Sequence, residues 1–558
     1  MSFSLPHDRY LSWPEIEAWC RAAAAGAPEW VTLSEIGRTL EDRPILLLTL
    51  GKADGRQDER PGFWLDGGTH AAEWTGVMAA LYTAAQWLTT LLGGDEAVRA
   101  WFEGHTAYVV PCICPDGHQA LMEGAPFLRS TVTSPGVGAS RSGLDPTDID
   151  GDGAVRWMRW FDSAGPFVED PDLPLFLRPR TLDDDPAKAC FACPEGEFVH
   201  WDGQRWTSAP LKNGLDLNRN FAAHWAPFSM FGMDGGPYPL SARESRAVTE
   251  AVAARPFIAA ALTNHTYTGC LLTQPYRKDS PIGDADQRLM ETLARDAVKG
   301  TGYSVFRVHP EFTYDESQPI VGVWADSLAS VFGVPAYTLE LWNPFQFAGV
   351  DRPNVADFFR TPDPEIVRKL IAFYAAQPGA QAWTSFDHPQ LGPVEIGGID
   401  YMRTIRNPPL GEALATELVR GFTVADRLRR ALPIVDARLE CTAVAAGLTE
   451  VVLVLENRGF LSTSGLARGE RVKACPGVRA TLDLGEDLEV VQGALEQGLD
   501  HLDGWGTMRH AGAGHPVYPD LPDRGHRAVA RWWVRGEGTL KVTYVAGRGG
   551  MGSVEAEV

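Results

Sequence analysis

The sequence predicts an α/β fold, a mixed open sheet flanked by helices, followed by a C-terminal β-sandwich. Two observations carry this. Through residue 377, short apolar runs alternate with helical ones, the pattern of strands linked by helices in an open sheet. After Pro433 the period drops to two: Leu439, Cys441 and Ala443 alternate with polar neighbours, as do Leu540, Val542 and Tyr544. Short strands with Gly-rich turns between them are the mark of a small sandwich. The expected organisation is a first domain over 1–377, a connector over 378–432 and the sandwich over 433–558.

Along the first domain, Gly62-Phe63-Trp64-Leu65-Asp66 reads as a buried strand running into Gly67-Gly68. A helix follows from about Ala72 to Leu92, and because it is apolar on nearly every side it should be buried. Further strands are expected at Thr106 to Pro111, Ile258 to Thr263 and Ala336 to Trp342. Between them, 131–212 is rich in Asp, Pro and Gly, contains Asp183-Asp184-Asp185 and has little periodicity. It reads as a long insertion, and loops of that length are usually functional or mobile. An amphipathic helix near Leu410 to Leu432 ends the connector.

Composition narrows the function. The chain has 558 residues with 44% hydrophobic and 22% charged, which are globular values. Its net charge of −22 repels phosphate backbones and anionic lipid, and no basic patch offsets it, so neither nucleic acid nor a membrane surface is an expected partner. No apolar run approaches the roughly 18 residues of a membrane span. The start, MSFSLPHDRYLSW, lacks the charged and apolar regions of a secretory signal. With only eight cysteines in so long a chain, reduced thiols and a cytoplasmic location are expected.

Open α/β sheets place their active sites at the carboxyl ends of strands, and two of the four signals, His70-x-x-Glu73 and His265, lie at such ends. His70 and Glu73, three apart where a strand gives way to a helix, can turn an imidazole and a carboxylate onto one point, as a tetrahedral metal needs. Asn218-Arg219 in LDLNRNF sets a guanidinium fork beside an amide, suited to reading a carboxylate. His265 leaves an apolar strand with Tyr267 two residues on. Glu340 is a carboxylate inside the apolar strand PAYTLELW, costly to bury unless paired or working. Each has a plainer reading alone: a solvated turn, a loop-holding Arg, a satisfied structural His, an edge-strand Glu facing water.

Together, in this order, these residues resemble the zinc metallocarboxypeptidases of the carboxypeptidase A-like family. GGTHAAEW is similar to that family's GG-x-H-x-x-E-W, GLDLNRNF to its G-V-D-x-N-R-N-F, PDG at Pro115 to Gly117 to its N-P-D-G turn, and TLELW to its strand bearing a catalytic Glu. The resemblance covers roughly residues 8 to 377. It implies that His70, Glu73 and His265 hold one zinc, with Asp216 orienting His70. It implies that Glu340 is the general base, taking a proton from the attacking water and giving it to the leaving amine. Asn218 and Arg219 would anchor the substrate's terminal carboxylate, Arg129 would stabilise the oxyanion, Tyr314 would cap bound substrate and Tyr267 would line the cleft. Two positions depart from the pattern. Ala72 stands where some members carry an Arg, removing one extended-substrate contact. Gly322, two before Trp324, offers no acid for a basic terminal side chain.

Other motifs carry less. Asp148, Asp150 and Asp152 have the D-x-D-x-D-G spacing of a calcium loop, but Arg159 stands where its bidentate acid belongs, so calcium competes with a solvated acidic turn. Cys190-x-x-Cys193 has no second pair, and GRGGMG near Gly547 opens no helix. The resulting expectation is a zinc carboxypeptidase acting on peptides with a free C-terminal carboxylate. Its rivals are a related zinc amidohydrolase acting on N-acyl amino acids or cell-wall-type peptides and, against the intact Glu340, a catalytically silent binding protein.

Overall fold

A computed structural model describes residues 3–133, 141–230, 232–313, 319–354, 358, 361–400, 405–510 and 525–558. An eight-stranded mixed sheet forms the centre, in the order Val31–Arg38, Pro44–Leu50, Thr106–Val110, Gly62–Gly67, Ile258–Thr266, Ala336–Leu341, Cys270–Thr273, Ser304–Arg307. The strands from Thr106 to Leu341 in that order pair in parallel, and both sides of the set carry antiparallel partners. Ile258–Thr266 is buried at all nine positions, the burial expected of a strand covered on both faces.

The helix after Gly67-Gly68 runs Trp74–Leu92, two residues later than the apolar run suggests, because Glu73 takes the cap position. Gly67 and Gly76 permit its close approach: a Cβ on Gly67 would stand 2.5 Å from the Gly76 carbonyl oxygen, and one on Gly76 would stand 2.8 Å from that of Asn264. A second helix, Glu412–Arg429, lies on the first, and its Leu414, Leu418, Val424 and Leu428 share one core with Val77, Met78, Leu81 and Leu88. Each fully buried side chain of this kind contributes about 1.5–3 kcal/mol. Trp87 Nε1 donates to Asp426 at 3.1 Å, fixing the register of the two helices. The last helix of the segment expected as a connector is thus built into the central core.

The stretch 131–212 is not the irregular loop its composition suggests. It contributes Trp157–Phe161, Ala189–Pro194, Phe167–Asp170 and Leu173–Pro179 to an antiparallel sheet, which is completed by Gln381–His388 and Gly392–Gly398 from beyond the first domain. Strands this short carry little local periodicity, and one of them, Trp157–Phe161, also pairs with Gly392–Gly398 over two hundred residues away. Arg159 stitches this sheet: it pairs with Glu169 at 2.6 Å and Glu395 at 2.7 Å and covers the Trp383 ring.

The C-terminal region forms two four-stranded antiparallel sheets, as the period-two pattern predicts. Val451, Leu453, Leu482, Trp532, Val534 and Val542 fill the space between them. Arg548, 2% exposed, joins this sandwich to the central sheet. Its guanidinium donates to the carbonyls of Pro256, Ile258, Phe332, Ser464 and Ala474. Burial pulls this side chain down to about 10.

Candidate metal centre

Strand Gly62–Gly67 delivers His70 and Glu73 through the turn at its end, and strand Ile258–Thr266 carries His265 one residue before its last. His70 Nδ1 lies 2.9 Å from Glu73 Oε1, while His265 Nδ1 lies 3.1 Å from His70 Nδ1 and 3.0 Å from Glu73 Oε2. All three side chains are buried. His70 Nε2 faces Asp216 Oδ1 at 3.2 Å, so its proton belongs there and the Nδ1 lone pair points at the cluster. Two imidazole nitrogens and a carboxylate aimed at one buried point are mutually unsatisfying unless a cation lies between them. The N, N, O donor set suits zinc.

Charge at this point is strongly polarised. Burial alone would raise Glu73, yet His70 and His265 hold it well below the usual carboxylate range. Asp216 is likewise held low against its burial, by Arg129, Arg219 and His70. Glu340 differs. Its strand lies between Ile258–Thr266 and Cys270–Thr273, which excludes the edge-strand alternative, and its Cα pairs in register with His265. Burial pushes its carboxyl up to about 7, with Glu73 adding to the rise and His265, Arg129 and Arg352 opposing it.

Asn218 and Arg219 sit in a short 3-10 turn that Asp216 caps by accepting the Asn218 N–H. Asn218 Oδ1 accepts the Trp324 N–H at 2.9 Å. Arg219 Nη1 donates to the Asn218 carbonyl, and its Nε is buried without a partner. Gly322 explains itself here: its φ is +62°, and a Cβ would stand 2.2 Å from the Arg219 carbonyl oxygen, so no side chain fits. Arg129 reaches both Asp216, at 3.2 Å, and Glu73, at 3.3 Å. Tyr267 packs with Phe345 and its neighbours just beyond His265. Tyr314 lies outside the described residues.

The structure also brings in residues without sequence motifs. Arg406 Nη1 lies 3.7 Å from Glu73 Oε1, and Asn407 beside it accepts from Thr75 and donates to the Ala72 carbonyl, clasping the ligand turn. Arg406, Trp74 and Phe127 form the inner wall of an apolar cavity of about 510 Å³ whose outer wall comes from the insertion, including Val155 and Trp157. Arg352 lies on the Glu340 side, its Nη2 3.6 Å from Cys270 Sγ. A lone Arg in a loop gives no sequence signal, so neither arginine could be singled out beforehand.

The calcium expectation is not supported. Asp148 accepts the Gly151 and Gly153 N–H groups, Asp150 that of Asp152, and Asp152 that of Ala154 while pairing with Arg156. The carboxylate that joins Asp148 and Asp150 is Glu195 rather than Asp152. Arg159, at the twelfth position, is occupied in the insertion sheet. Cys190 and Cys193 are free, as are the other cysteines.

A family model described as zinc carboxypeptidase matches residues 16–150 and 194–367, more than half of the chain, and skips most of the insertion. Residues 434–558 match a model for a domain of unknown function. Carboxypeptidase B of Astacus astacus is 28% identical over 156 residues, 28% of this chain and 47% of that protein. Carboxypeptidase B of Homo sapiens is 31% identical over 140 residues, 25% of this chain and 32% of that protein. The chain therefore spans under half the length of these relatives. Among solved structures, thrombin activatable fibrinolysis inhibitor aligns over 76% of this chain and 75% of its own at 16% identity, with a TM-score of 0.40, too loose a likeness to carry an argument.

Proposed function

Since the chain belongs to the zinc carboxypeptidase family, we propose that it hydrolyses the C-terminal peptide bond of peptides with a free terminal carboxylate. The observation that carries this reading is the convergence of His70, Glu73 and His265 on one buried point, in register with Glu340. In this reading the three ligands hold a single zinc ion, which when bound supplies Lewis-acid polarisation of water and of the scissile carbonyl.

The remaining work falls to the chain's own groups. Glu340 accepts a proton from the attacking water and passes it to the departing amine, a task suited to a carboxyl poised near neutrality. Arg129, held in place by Asp216, presents positive charge where the carbonyl oxygen becomes anionic. Arg219, with a buried Nε that no group among the described residues satisfies, grips the terminal carboxylate beside Asn218. Tyr267 borders the cleft on the His265 side.

The test compares one peptide with a free and an amidated end. The free form should be cut tens of times faster, because a charge-assisted hydrogen bond is worth about 1.5–3 kcal/mol. Arg219→Ala should slow the free form strongly and the amidated form little. Equal hydrolysis of both forms by the unmodified protein would sink the reading. The apolar cavity beyond Arg406 favours one alternative, an amidohydrolase acting on N-acyl amino acids, since an acyl chain would fill it. Faster release from acyl amino acids than from peptides would select that alternative.

A further inference from the structure

Four arginines surround the metal centre, and they are not equally satisfied. Arg129 pairs with Asp216 and Glu73, and Arg406 also leans on Glu73. Arg219 donates to a backbone carbonyl, faces the Phe228 ring and lends charge to Asp216, and among the described residues its Nε is unmet. Arg352 finds still less. Its Nη2 contacts the Cys270 thiol at 3.6 Å, its Nη1 is buried without an acceptor, and its guanidinium lies over the Phe306 ring at 4.3 Å. Burial pushes the Cys270 thiol up to about 11, so the sulfur is neutral and does not serve as a counter-ion. Among the described residues, no carboxylate pairs with Arg352.

Position makes this informative. Cys270 is the cross-strand partner of Glu340, so Arg352 stands next to the carboxylate assigned as the base. It is also among the charges that pull Glu340 down. The aromatic wall of Phe306 and Phe312 holds the guanidinium there without neutralising it. The site thus contains two under-satisfied forks, one at Arg219 and one at Arg352. A C-terminal Glu or Asp carries two carboxylates. Gly322, against the Arg219 backbone, has no room for any side chain, so no acid stands there to pair with Arg219.

We infer that Arg352 binds the side-chain carboxylate of an acidic C-terminal residue, while Arg219 takes the α-carboxylate. The chain would then favour peptides ending in Glu or Asp. This rests on the carboxypeptidase reading above, and the two are separable by experiment. The zinc-loaded protein is given one peptide ending in Glu, Gln, Leu or Lys, and kcat/KM is measured for each. Glu should exceed Gln, its neutral isostere, by about 10- to 100-fold, the span of one charge-assisted hydrogen bond in a partly buried site. In Arg352→Met the Glu-to-Gln ratio should fall to about one, and in Arg352→Lys, which keeps the charge but loses the fork, it should stay above one. The ratio is taken within each variant, so a general loss of activity leaves it readable, and zinc content with an unchanged melting temperature shows each variant folded. Release of Gln or Leu as fast as Glu by the unmodified protein would overturn the inference while sparing the carboxypeptidase reading. So would a ratio that survives in Arg352→Met. Release of no terminal residue from any peptide would sink both.

Discussion

Among the described residues, two clusters bring three metal-type ligands within 4.8 Å of one another: His70, Glu73 and His265, and Asp148, Asp150 and Glu195. They are built on opposite principles. In the acidic turn, the carboxylates are answered by backbone N–H groups of the same few residues, and Glu195 accepts from Ile149 and Arg156. In the histidine cluster, Glu73 accepts from the Thr266 N–H and from Arg129, but His70 Nδ1 and His265 Nδ1 face each other at 3.1 Å with no donor between them. A group that already has its protons needs no ion. Two buried ring nitrogens turned on each other do, because each unsatisfied polar group costs about 1–3 kcal/mol. Ligand-like residue types within reach of each other are therefore a weak sign of a metal, and the missing donors are the stronger one.

The largest expected effect tests that contrast directly. His265→Ala or His70→Ala should drop bound zinc from about one per chain to near zero and abolish release of the terminal residue, as read by metal analysis after dialysis. Asp150→Asn should change neither. A metal content that follows Asp150 instead would reverse the assignment of the two clusters.

Next comes the base. Glu340→Gln removes no ligand, so zinc should stay while kcat falls by about 10²- to 10⁴-fold. Near-normal turnover in that variant would show that the protonatable group beside the cluster is idle. The pH profile sharpens this further. In the proposed mechanism Glu340 acts as its ionised form, so kcat/KM should fall as pH drops through its pKa. That pKa is about 7 without a cation nearby, and a bound dication favours the ionised carboxylate, so the acid limb should lie below 7. A limb that persists in Glu340→Gln belongs to another group.

The smallest effect belongs to the acidic turn. Asp148→Asn weakens two hydrogen bonds to backbone N–H groups and should cost about 0.5–1.5 kcal/mol of stability. Calcium should leave the melting temperature unmoved, whereas a ligand that binds the native state must raise it. A calcium-dependent rise lost in Asp148→Asn would break the comparison from the other side.

The histidine cluster was legible because its members lie at strand ends within local signatures: His70 and Glu73 in one turn, His265 and Glu340 each closing an apolar run. Those signals are short-range, and the chemistry they encode is short-range too. Arg352 and Arg406 escaped because each is a single residue in a loop, meaningful only through what it fails to meet or happens to reach. The insertion sheet escaped for a related reason. Trp157–Phe161 pairs with Gly392–Gly398 across more than two hundred residues, and no periodicity in a five-residue strand announces so distant a partner. Acidic turn residues misled in the opposite direction, since Asp and Gly at calcium-loop spacing are also what a self-capped turn requires.

Arg548 has a consequence for how the molecule comes into being. It meets the carbonyls of Pro256 and Ile258, at the root of the strand that carries His265, and of Phe332, ahead of the strand that carries Glu340. Chains emerge from the ribosome at about 5–20 residues per second, and N-terminal domains usually fold first. Here the central sheet leaves the ribosome with those three acceptors unmet, and roughly two hundred more residues must be translated before their donor exists. The two strands that define the active centre are therefore sealed late, by a residue supplied from the other end of the chain. A ribosome that stalls or stops within the last strands of the sandwich would release a protein in which His70, Glu73, His265 and Glu340 are all present and the foundation of their strands is not.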